Sequence, residues 1–380
     1  MNELYLGNHD GCIKALLRHG SGVDCRTSDL LTPLHIAAHC GHCTTATLLL
    51  DSEASVNVYA LNGFTPLHVA CKKNRVKMVS LLLSRGADPA IATESGLTAL
   101  MVAAYADHVE IARIILNTKC PLDALNSRGE TALHVAIRTD RGRSVFDLLV
   151  ESGCNLNAHG KDAASVLHLA ARNGKIEYVK KLVTKGSEIN ASVPSSGYTA
   201  LHHAAKEGHA EIVEFLVESG ANFTLETRKG FTPLHLAVKY ANLAELKFLV
   251  DVGCDINARA LGGLTCLHIA AHYAHVEITK KLLELGADPS ISAARTGHTS
   301  LHVASRQANL DILRLLLEAG APTGATTKQG FTAVHLSAFA GSVELLKGMV
   351  KKSNNISYFK IFDTQKYLTK IFNRKSLERK

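Results

Sequence analysis

Apolar and polar positions follow a pattern along the chain that returns every 33 or 34 residues. In each repeat of the pattern, a short segment with apolar residues at helical spacing is followed by a tight turn and then by a second such segment. Residues 76–83 are an example of the second segment. A glycine such as Gly86 follows the second segment, and a stretch rich in turn formers leads into the next unit. The pattern predicts a helix, a turn, a second helix and a hairpin-like connector in every unit.

Each predicted first helix begins at a Thr-x-Leu-His-like tetrapeptide. The Thr or Ser of this motif is typical of a helix N-cap, and a proline in several units occupies the first helical position. The motifs start at Thr32, Thr65, Thr98, Thr131, Ser165, Thr199, Thr232, Thr265, Thr299 and Thr332. The period together with T-P-L-H-x-A is typical of ankyrin repeats. Because one unit cannot bury its own apolar face, the sequence predicts an all-α repeat solenoid of about ten and a half stacked units.

The same pattern predicts three parts. Residues 1–31 are expected to form a partial repeat and its connector, residues 32–352 ten repeats in one solenoid, and residues 353–380 a basic amphipathic tail. Such a tail is suited to an anionic membrane surface or to a helix-binding partner. The alternative is that it forms a C-terminal cap or a poorly ordered extension.

Several stretches resemble the membrane-binding repeat region of the ankyrins, adaptors that tie membrane proteins to the cytoskeleton. They are LLTPLHIAAHCGH, ALNGFTPLHVACKKNRVKM, TESGLTALMVAA, RKGFTPLHLAVKYANL and LTCLHIAAHYAH, in matching order. The resemblance implies a scaffold that binds extended cytoplasmic tails of channels, transporters and adhesion molecules, in the cytoplasm at the plasma membrane or cytoskeleton. No stretch resembles the spectrin-binding module, so the resemblance implies no spectrin link. The alternative is the repeat part of a larger channel, ubiquitin-ligase adaptor or pore-forming toxin.

Charge and composition narrow the class of function. The formal net charge is +8, but residues 351–380 hold nine basic and two acidic residues, so the preceding 350 are near neutral. A nucleic-acid groove along the repeats would need basic residues concentrated there. The apolar runs are shorter than the ~18 residues that span a bilayer. Nine scattered cysteines suit free thiols in a reducing cytoplasm rather than a disulfide framework.

Two features invite a catalytic or metal-binding interpretation. Cys40 and Cys43 form a CxxC, but they flank the predicted turn between two helices, whereas a redox CxxC places its first thiol at a helix N-terminus. Nine histidines stand three residues after a cap, at His35, His68, His134, His168, His202, His235, His268, His302 and His335. Because they are periodic, we expect them to hydrogen-bond the cap and connector. The sequence predicts no enzyme, no catalytic residues, no metal site and no cofactor.

Two sets of side chains are expected to face a concave protein-binding groove. The connector-tip set stands immediately before the caps and comprises Leu31, Phe64, Leu97, Tyr198, Phe231, Leu264 and Phe331. The first-helix set stands seven or eight residues after the caps and comprises Lys72, Lys73, Tyr105, Arg138, Arg172, Lys206, Lys239, Tyr240, His272, Tyr273 and Arg306. The alternatives are that connector-tip residues pack on neighbouring connectors and that the basic residues are ordinary solvated helix surface.

Overall fold

A computed structural model describes residues 10–139, 143–160 and 162–342, so the tail at 353–380 lies outside the described residues. The described ranges contain twenty helices: α1 (Asp10–Arg18), α2 (Pro33–Cys40), α3 (Cys43–Asp51), α4 (Pro66–Lys72), α5 (Val76–Ser84), α6 (Ala99–Ala106), α7 (Val109–Leu116), α8 (Ala132–Arg138), α9 (Arg143–Glu151), α10 (Val166–Arg172), α11 (Ile176–Thr184), α12 (Ala200–Glu207), α13 (Ala210–Glu218), α14 (Pro233–Lys239), α15 (Leu243–Asp251), α16 (Cys266–His272), α17 (Val276–Glu284), α18 (Ser300–Arg306), α19 (Leu310–Glu318) and α20 (Ala333–Phe339). Among them none is long and apolar enough to cross a membrane.

The helices alternate as the sequence predicts. Even-numbered helices begin at the caps and are the first helices. Within each compact unit, first helices pack on the second helix that follows and on the first helix of the next repeat, as α4 does on α5 and α6. Contacts group the chain into two compact units, Met1–Ser195 and Ser196–Lys380. Within each unit the apolar core lies between the first-helix and second-helix layers. The all-α ankyrin-type array is therefore confirmed.

Small side chains let neighbouring first helices approach. An alanine stands five residues after nine of the ten caps, and all nine alanines are fully buried (Ala37, Ala70, Ala103, Ala136, Ala170, Ala204, Ala237, Ala270 and Ala304). Ser337 takes this place in the last described repeat, and its hydroxyl, buried with it, donates to the Ala333 carbonyl. A larger side chain here would separate two repeats rather than fill a gap, because interiors are already close-packed.

The turn between the two helices keeps one backbone geometry whatever residue occupies it. Gly41 and Gly208 have positive φ angles of 84° and 81°. Where the glycine is replaced, Ala241, Ala274 and Ala308 still have φ of 62°, 60° and 55°. Alanine is disfavoured in this region because its Cβ meets the following carbonyl. The stacking of repeats thus imposes a geometry that the local sequence does not favour, as the alanines led us to expect.

The connectors form a second line of contact between repeats. Antiparallel bridges such as Ala92 with Thr98 and Ala260 with Leu264 confirm their hairpin-like form. Neighbouring connectors are joined by backbone hydrogen bonds, for example from Leu261 N–H to the Lys229 carbonyl at 3.2 Å. A glycine two residues before the cap, such as Gly230, lies against the next connector: a Cβ on Gly230 would stand 2.5 Å from the Leu261 nitrogen. This glycine is needed for close approach as well as for its positive φ.

Replacing Gly230 with alanine is expected to destabilise the array more than the matched change Gly286→Ala. Both glycines have positive φ, 69° and 90°, so both variants incur the left-handed penalty of ~1–2 kcal/mol. Only Gly230 faces a neighbouring backbone, whereas a Cβ on Gly286 meets nothing within 4 Å. Overpacking adds a further ~1–3 kcal/mol to the first variant. Denaturant unfolding measures the difference, and equal destabilisation of the two variants would contradict the close packing of connectors.

Candidate interaction surface

Within each unit, periodic histidines join a repeat to the one that follows it. In the second repeat, His68 Nδ1 lies 2.8 Å from Thr65 Oγ1 and accepts the Thr65 backbone N–H, while His68 Nε2 lies 3.0 Å from the Leu97 carbonyl of the next connector. His35, His202, His268 and His302 make the same pair of contacts, reaching the carbonyls of Phe64, Phe231, His298 and Phe331. The expected bond to cap and connector is therefore present, and the connector it reaches belongs to the following repeat.

The cap hydroxyl makes two contacts at the start of the helix. As expected of an N-cap, Thr65 Oγ1 accepts the His68 backbone N–H at 3.5 Å, and Thr199 Oγ1 accepts that of His202 at 3.4 Å. Thr65 Oγ1 also lies 2.8 Å from Nδ1 of the His68 ring. A carbonyl can only accept, so Nε2 carries the proton, and a neutral ring then leaves Nδ1 free to accept from the cap. The cap hydroxyl consequently donates to the imidazole as well as accepting from the helix.

Burial keeps these rings neutral. It lowers the pKa of His68 and of His235 to about 4, against the opposing effect of their hydrogen bonds to backbone carbonyls. Burial likewise lowers the pKa of His35, His134, His268 and His302. A ring that stays neutral and holds both nitrogens in structural bonds is not available as a general base or metal ligand. The periodic histidines therefore serve stacking.

The position of the CxxC cysteines is also explained by the repeat structure. Cys40 is the last residue of α2 and Cys43 the first of α3, with Gly41 and His42 forming the turn between these helices. The first thiol thus lies at a helix C-terminus, whereas a redox CxxC places its first thiol at a helix N-terminus. Both cysteines are free and partly exposed. Within the described ranges no group of three or more His, Cys, Asp or Glu side chains is placed to hold a metal ion.

The connector-tip set is half-buried at all seven positions. Its aromatic rings lie against the start of the helix that follows them, as in the edge contact of Phe64 with His68 at 5.6 Å between ring centroids. The Lys72 ammonium lies 5.5 Å from the centre of the Phe64 ring. The structure thus places part of each connector-tip side chain in packing and leaves part accessible; its role in binding stays a prediction.

The first-helix set is mostly exposed. Nine of its eleven side chains are exposed, and only Lys206 and Lys239 are half-buried. Tyr105, Tyr240 and Tyr273 keep 62%, 43% and 45% of their surface accessible, which is unusual for aromatic side chains in a folded core. All eleven lie at the end of a first helix or in the residue after it, so their accessible parts share one face within each unit.

In the second unit these residues contact one another across repeats and form an aromatic–cation ladder, defined here as Lys206, Phe231, Lys239, Tyr240 and Tyr273. The Lys239 ammonium lies 5.8 Å from the Phe231 ring centre, 5.3 Å from that of Tyr240 and 5.7 Å from that of Tyr273. The Lys206 ammonium lies 5.3 Å from the Tyr240 ring centre. Each such contact contributes ~0.5–1 kcal/mol at exposed sites. The ladder holds two cations in fixed positions on an accessible face.

Charge in the second unit is separated between the two helix layers. Residues 196–342 contain twelve basic and thirteen acidic residues. First helices and connectors carry eight of the basic residues (Lys206, Arg228, Lys229, Lys239, Arg259, Arg295, Arg306 and Lys328) and four of the acidic ones (Glu207, Glu226, Asp255 and Asp288). The second helices carry nine acidic and four basic residues. The first-helix side is therefore basic, although the unit as a whole is close to neutral.

Sequence reasoning missed four strongly exposed large apolar side chains. Tyr59, Leu61, Leu125 and Leu261 are 56%, 60%, 56% and 72% exposed. Leu61 and Leu261 stand four residues before a cap, at the outer edge of a connector, where the pattern predicts a polar turn residue. An apolar residue at a turn position is the signal that would have found them. Leu261 lies between the connectors that carry Lys229 and Arg295, so it adds an apolar contact to the basic side of the second unit.

Comparison with known proteins agrees with this architecture. The family model described as "Ankyrin repeats (3 copies)" matches residues 4–93, 87–160, 141–227, 167–260, 219–293 and 267–360. The crystal structure of the ankyrin repeat domain of Bcl-3, described as a unique member of the IkappaB protein family, is 31% identical in sequence with a TM-score of 0.54, covering 59% of this chain and 100% of that one. In all, 599 solved chains match, so the fold alone does not select a partner. No curated protein sequence matches.

Proposed function

This chain belongs to the ankyrin-repeat family, whose repeats generally mediate protein–protein interaction, and from that premise we propose that its first-helix face binds an extended segment of another protein. The observation that carries the proposal is the exposure of nine cationic and aromatic side chains on one face of the first helices. Aromatic and Arg side chains are the types that most often anchor interfaces. The fold is generally a non-enzymatic scaffold, and its periodic histidines are engaged in stacking.

The partner that we propose is the cytoplasmic tail of a membrane protein, such as a channel, transporter or adhesion molecule, held in the cytoplasm near the plasma membrane and linked to the cytoskeleton. Support comes from the stretches that resemble the ankyrins, above all the residues outside the repeat consensus at 70–75. A disordered tail loses chain entropy on binding, so many small contacts along several repeats would be needed to offset that loss. The exposed side chains of the first-helix set, one or two in each of seven repeats, provide contacts of this kind.

Alanine substitutions at Phe64, Phe231 and Tyr240 test the proposal. We expect each to weaken binding of a recognised cytoplasmic tail by about tenfold or more, since interface aromatics typically contribute above 1 kcal/mol. The matched control is Phe248→Ala, which removes a half-buried ring from a second helix. Binding is measured by surface plasmon resonance against a panel of purified tails, and folding by circular dichroism. Unchanged affinity in the folded variants, or an equal loss in the control, would contradict the proposed surface.

A further inference from the structure

We infer, resting on the proposed function, that the first-helix face of residues 196–342 binds an extended acidic peptide segment whose carboxylates recur at about every third residue. This face carries one cationic group in each of three repeats, namely Lys206, Lys239 and Arg306. The repeat between those of Lys239 and Arg306 has none at this place. His272 and Tyr273 stand at the equivalent place there, with the rings 5.0 Å apart in an edge contact. From Lys206 to Arg306, three of the four repeats therefore present a cationic group on this face, and the two central repeats present aromatic groups.

Charge complementarity selects an acidic partner. Of the twelve charged residues on the first helices and connectors of this unit, eight are basic, and the six of these that lie on connectors or at Arg306 are exposed. Nine of the thirteen acidic side chains lie instead on the second helices, in the other layer. The remaining four are Glu207, which is paired with Lys206, and the connector residues Glu226, Asp255 and Asp288. A peptide carboxylate would meet several uncompensated cations on this face and a repelling field on the opposite one.

The ladder fixes the position of its cations before a partner arrives. Three aromatic rings surround the Lys239 ammonium within 6 Å, and this side chain is half-buried. A lysine confined in this way loses less side-chain entropy on pairing with a carboxylate than a free surface lysine would. Tyr240 and Tyr273 keep 43% and 45% of their surface accessible, which leaves part of each ring for the apolar side chains of the same peptide. The site thus suits a segment that mixes carboxylates with apolar residues.

The distance between neighbouring first helices determines how often carboxylates should recur along the peptide. First helices packed in a row lie about 10 Å apart. An extended peptide advances ~3.3 Å per residue, so one repeat corresponds to about three residues and the face from Lys206 to Arg306 to about ten. Side chains at every third position of an extended segment can therefore meet successive repeats. Leu261, which is 72% exposed at the edge of its connector, offers an apolar contact beside the same path.

A peptide is favoured over a nucleic acid by the charge of the whole unit. Residues 196–342 carry twelve basic and thirteen acidic residues, so no net positive field attracts a polyanion from a distance. The basic residues are interleaved with exposed tyrosines and a leucine rather than forming a continuous phosphate-binding track. Short-range pairing with a few carboxylates fits this arrangement better than counterion release along a backbone.

The test uses the full chain and a fluorescein-labelled peptide of about twelve residues, with glutamate at every third position and leucine and serine between. Fluorescence anisotropy is compared for this peptide, for the same peptide with glutamine in place of glutamate, and for a single-stranded oligonucleotide of equal charge. The first-helix variant is Lys239→Glu with Arg306→Glu. The matched control is Lys280→Glu with Arg314→Glu, which changes the net charge equally but on exposed positions of second helices. Lys239→Gln is a milder variant that removes the positive charge but leaves a polar side chain.

We expect the glutamate peptide to bind at least tenfold more tightly than the glutamine peptide. We also expect the first-helix variant to lose at least tenfold and Lys239→Gln severalfold, while the control stays within about twofold. Equal losses in both double variants, or no preference for the glutamate peptide, would overturn the inference. Tighter binding of the oligonucleotide, lost in the first-helix variant, would overturn it in favour of a nucleic acid. If only these charge effects fail while Phe231→Ala and Tyr240→Ala still weaken tail binding about tenfold or more, the proposed function stands.

Discussion

Acidification from pH 7 to pH 4 is expected to unfold the array steeply, because its repeats are joined by buried neutral histidines. The folded pKa of His68 and His235 is about 4, below the unfolded value near 6.5. The unfolded chain therefore binds more protons between these values, and stability falls as the pH falls. The contribution is complete above pH ~6.5 and is lost through pH ~4. A shift of this size corresponds to about 3 kcal/mol for each of the two rings.

The other histidines whose pKa is lowered also make the array less stable as the pH falls. His35, His134, His268 and His302 also have their pKa reduced by burial, so acid acts on most of the stack at once. The measurement is the free energy of unfolding in denaturant at pH values from 8 to 4. The matched variant is His235→Met, since Met101 occupies this place naturally in one repeat. It should be less stable at pH 7 but depend less steeply on pH. An unchanged slope would show that carboxylates, not these histidines, govern acid unfolding.

Replacing His235 with alanine is expected to cost about 3–5 kcal/mol near its repeat. The ring is fully buried, its Nδ1 accepts the Thr232 backbone N–H at 3.2 Å, and its Nε2 donates to the Ala258 carbonyl at 3.1 Å. Removal leaves a buried donor and a buried acceptor unpaired and opens a cavity. His235→Met keeps most of the volume and should lose less, because only the polar contacts disappear.

The control for this change is His272→Ala. His272 is an exposed histidine whose Nδ1 lies 3.3 Å from the Gln307 side chain. His272→Ala should change the free energy of unfolding by no more than about 0.5 kcal/mol, as for most surface substitutions. Because repeat arrays can unfold in parts, amide hydrogen exchange is the better measurement. In His235→Ala, exchange should accelerate at the start of α14 and in the connector at 259–264. Acceleration confined to α14, with that connector unchanged, would contradict a role in joining repeats.

The sequence predicted the features that recur from repeat to repeat and missed those that depend on packing between neighbouring side chains. The helix starts, the inter-helix turns and the structural role of His68 follow from a local pattern repeated ten times, so the repeats themselves distinguish scaffold from chemistry. The positive φ of Ala274 could be anticipated only because glycine occupies that place in other repeats. The half-burial of Phe64 and Phe231 could not be resolved, since a connector-tip ring is exposed or covered according to small shifts in packing.

The aromatic–cation ladder could not be predicted from the sequence. The Lys239 ammonium reaches Tyr273 in the next repeat, and this contact depends on the register and spacing of two packed helices. The exposure of Leu261 was missed because a connector was treated as polar by default. The separation of charge between helix layers is different, because it can be counted from the sequence as soon as the two helices of each repeat are assigned.

The central claim is that the recurring histidines are neutral links between successive repeats, which leaves the first-helix face to bind protein. Nitrogen-15 NMR of the histidine side chains tests it most directly, since the ring shifts report both the protonated nitrogen and the pKa. For His68 and His235, the account predicts a neutral ring with the proton on Nε2 and no titration until the pH approaches about 4. Titration near pH 6.5, or a proton on Nδ1, would contradict it.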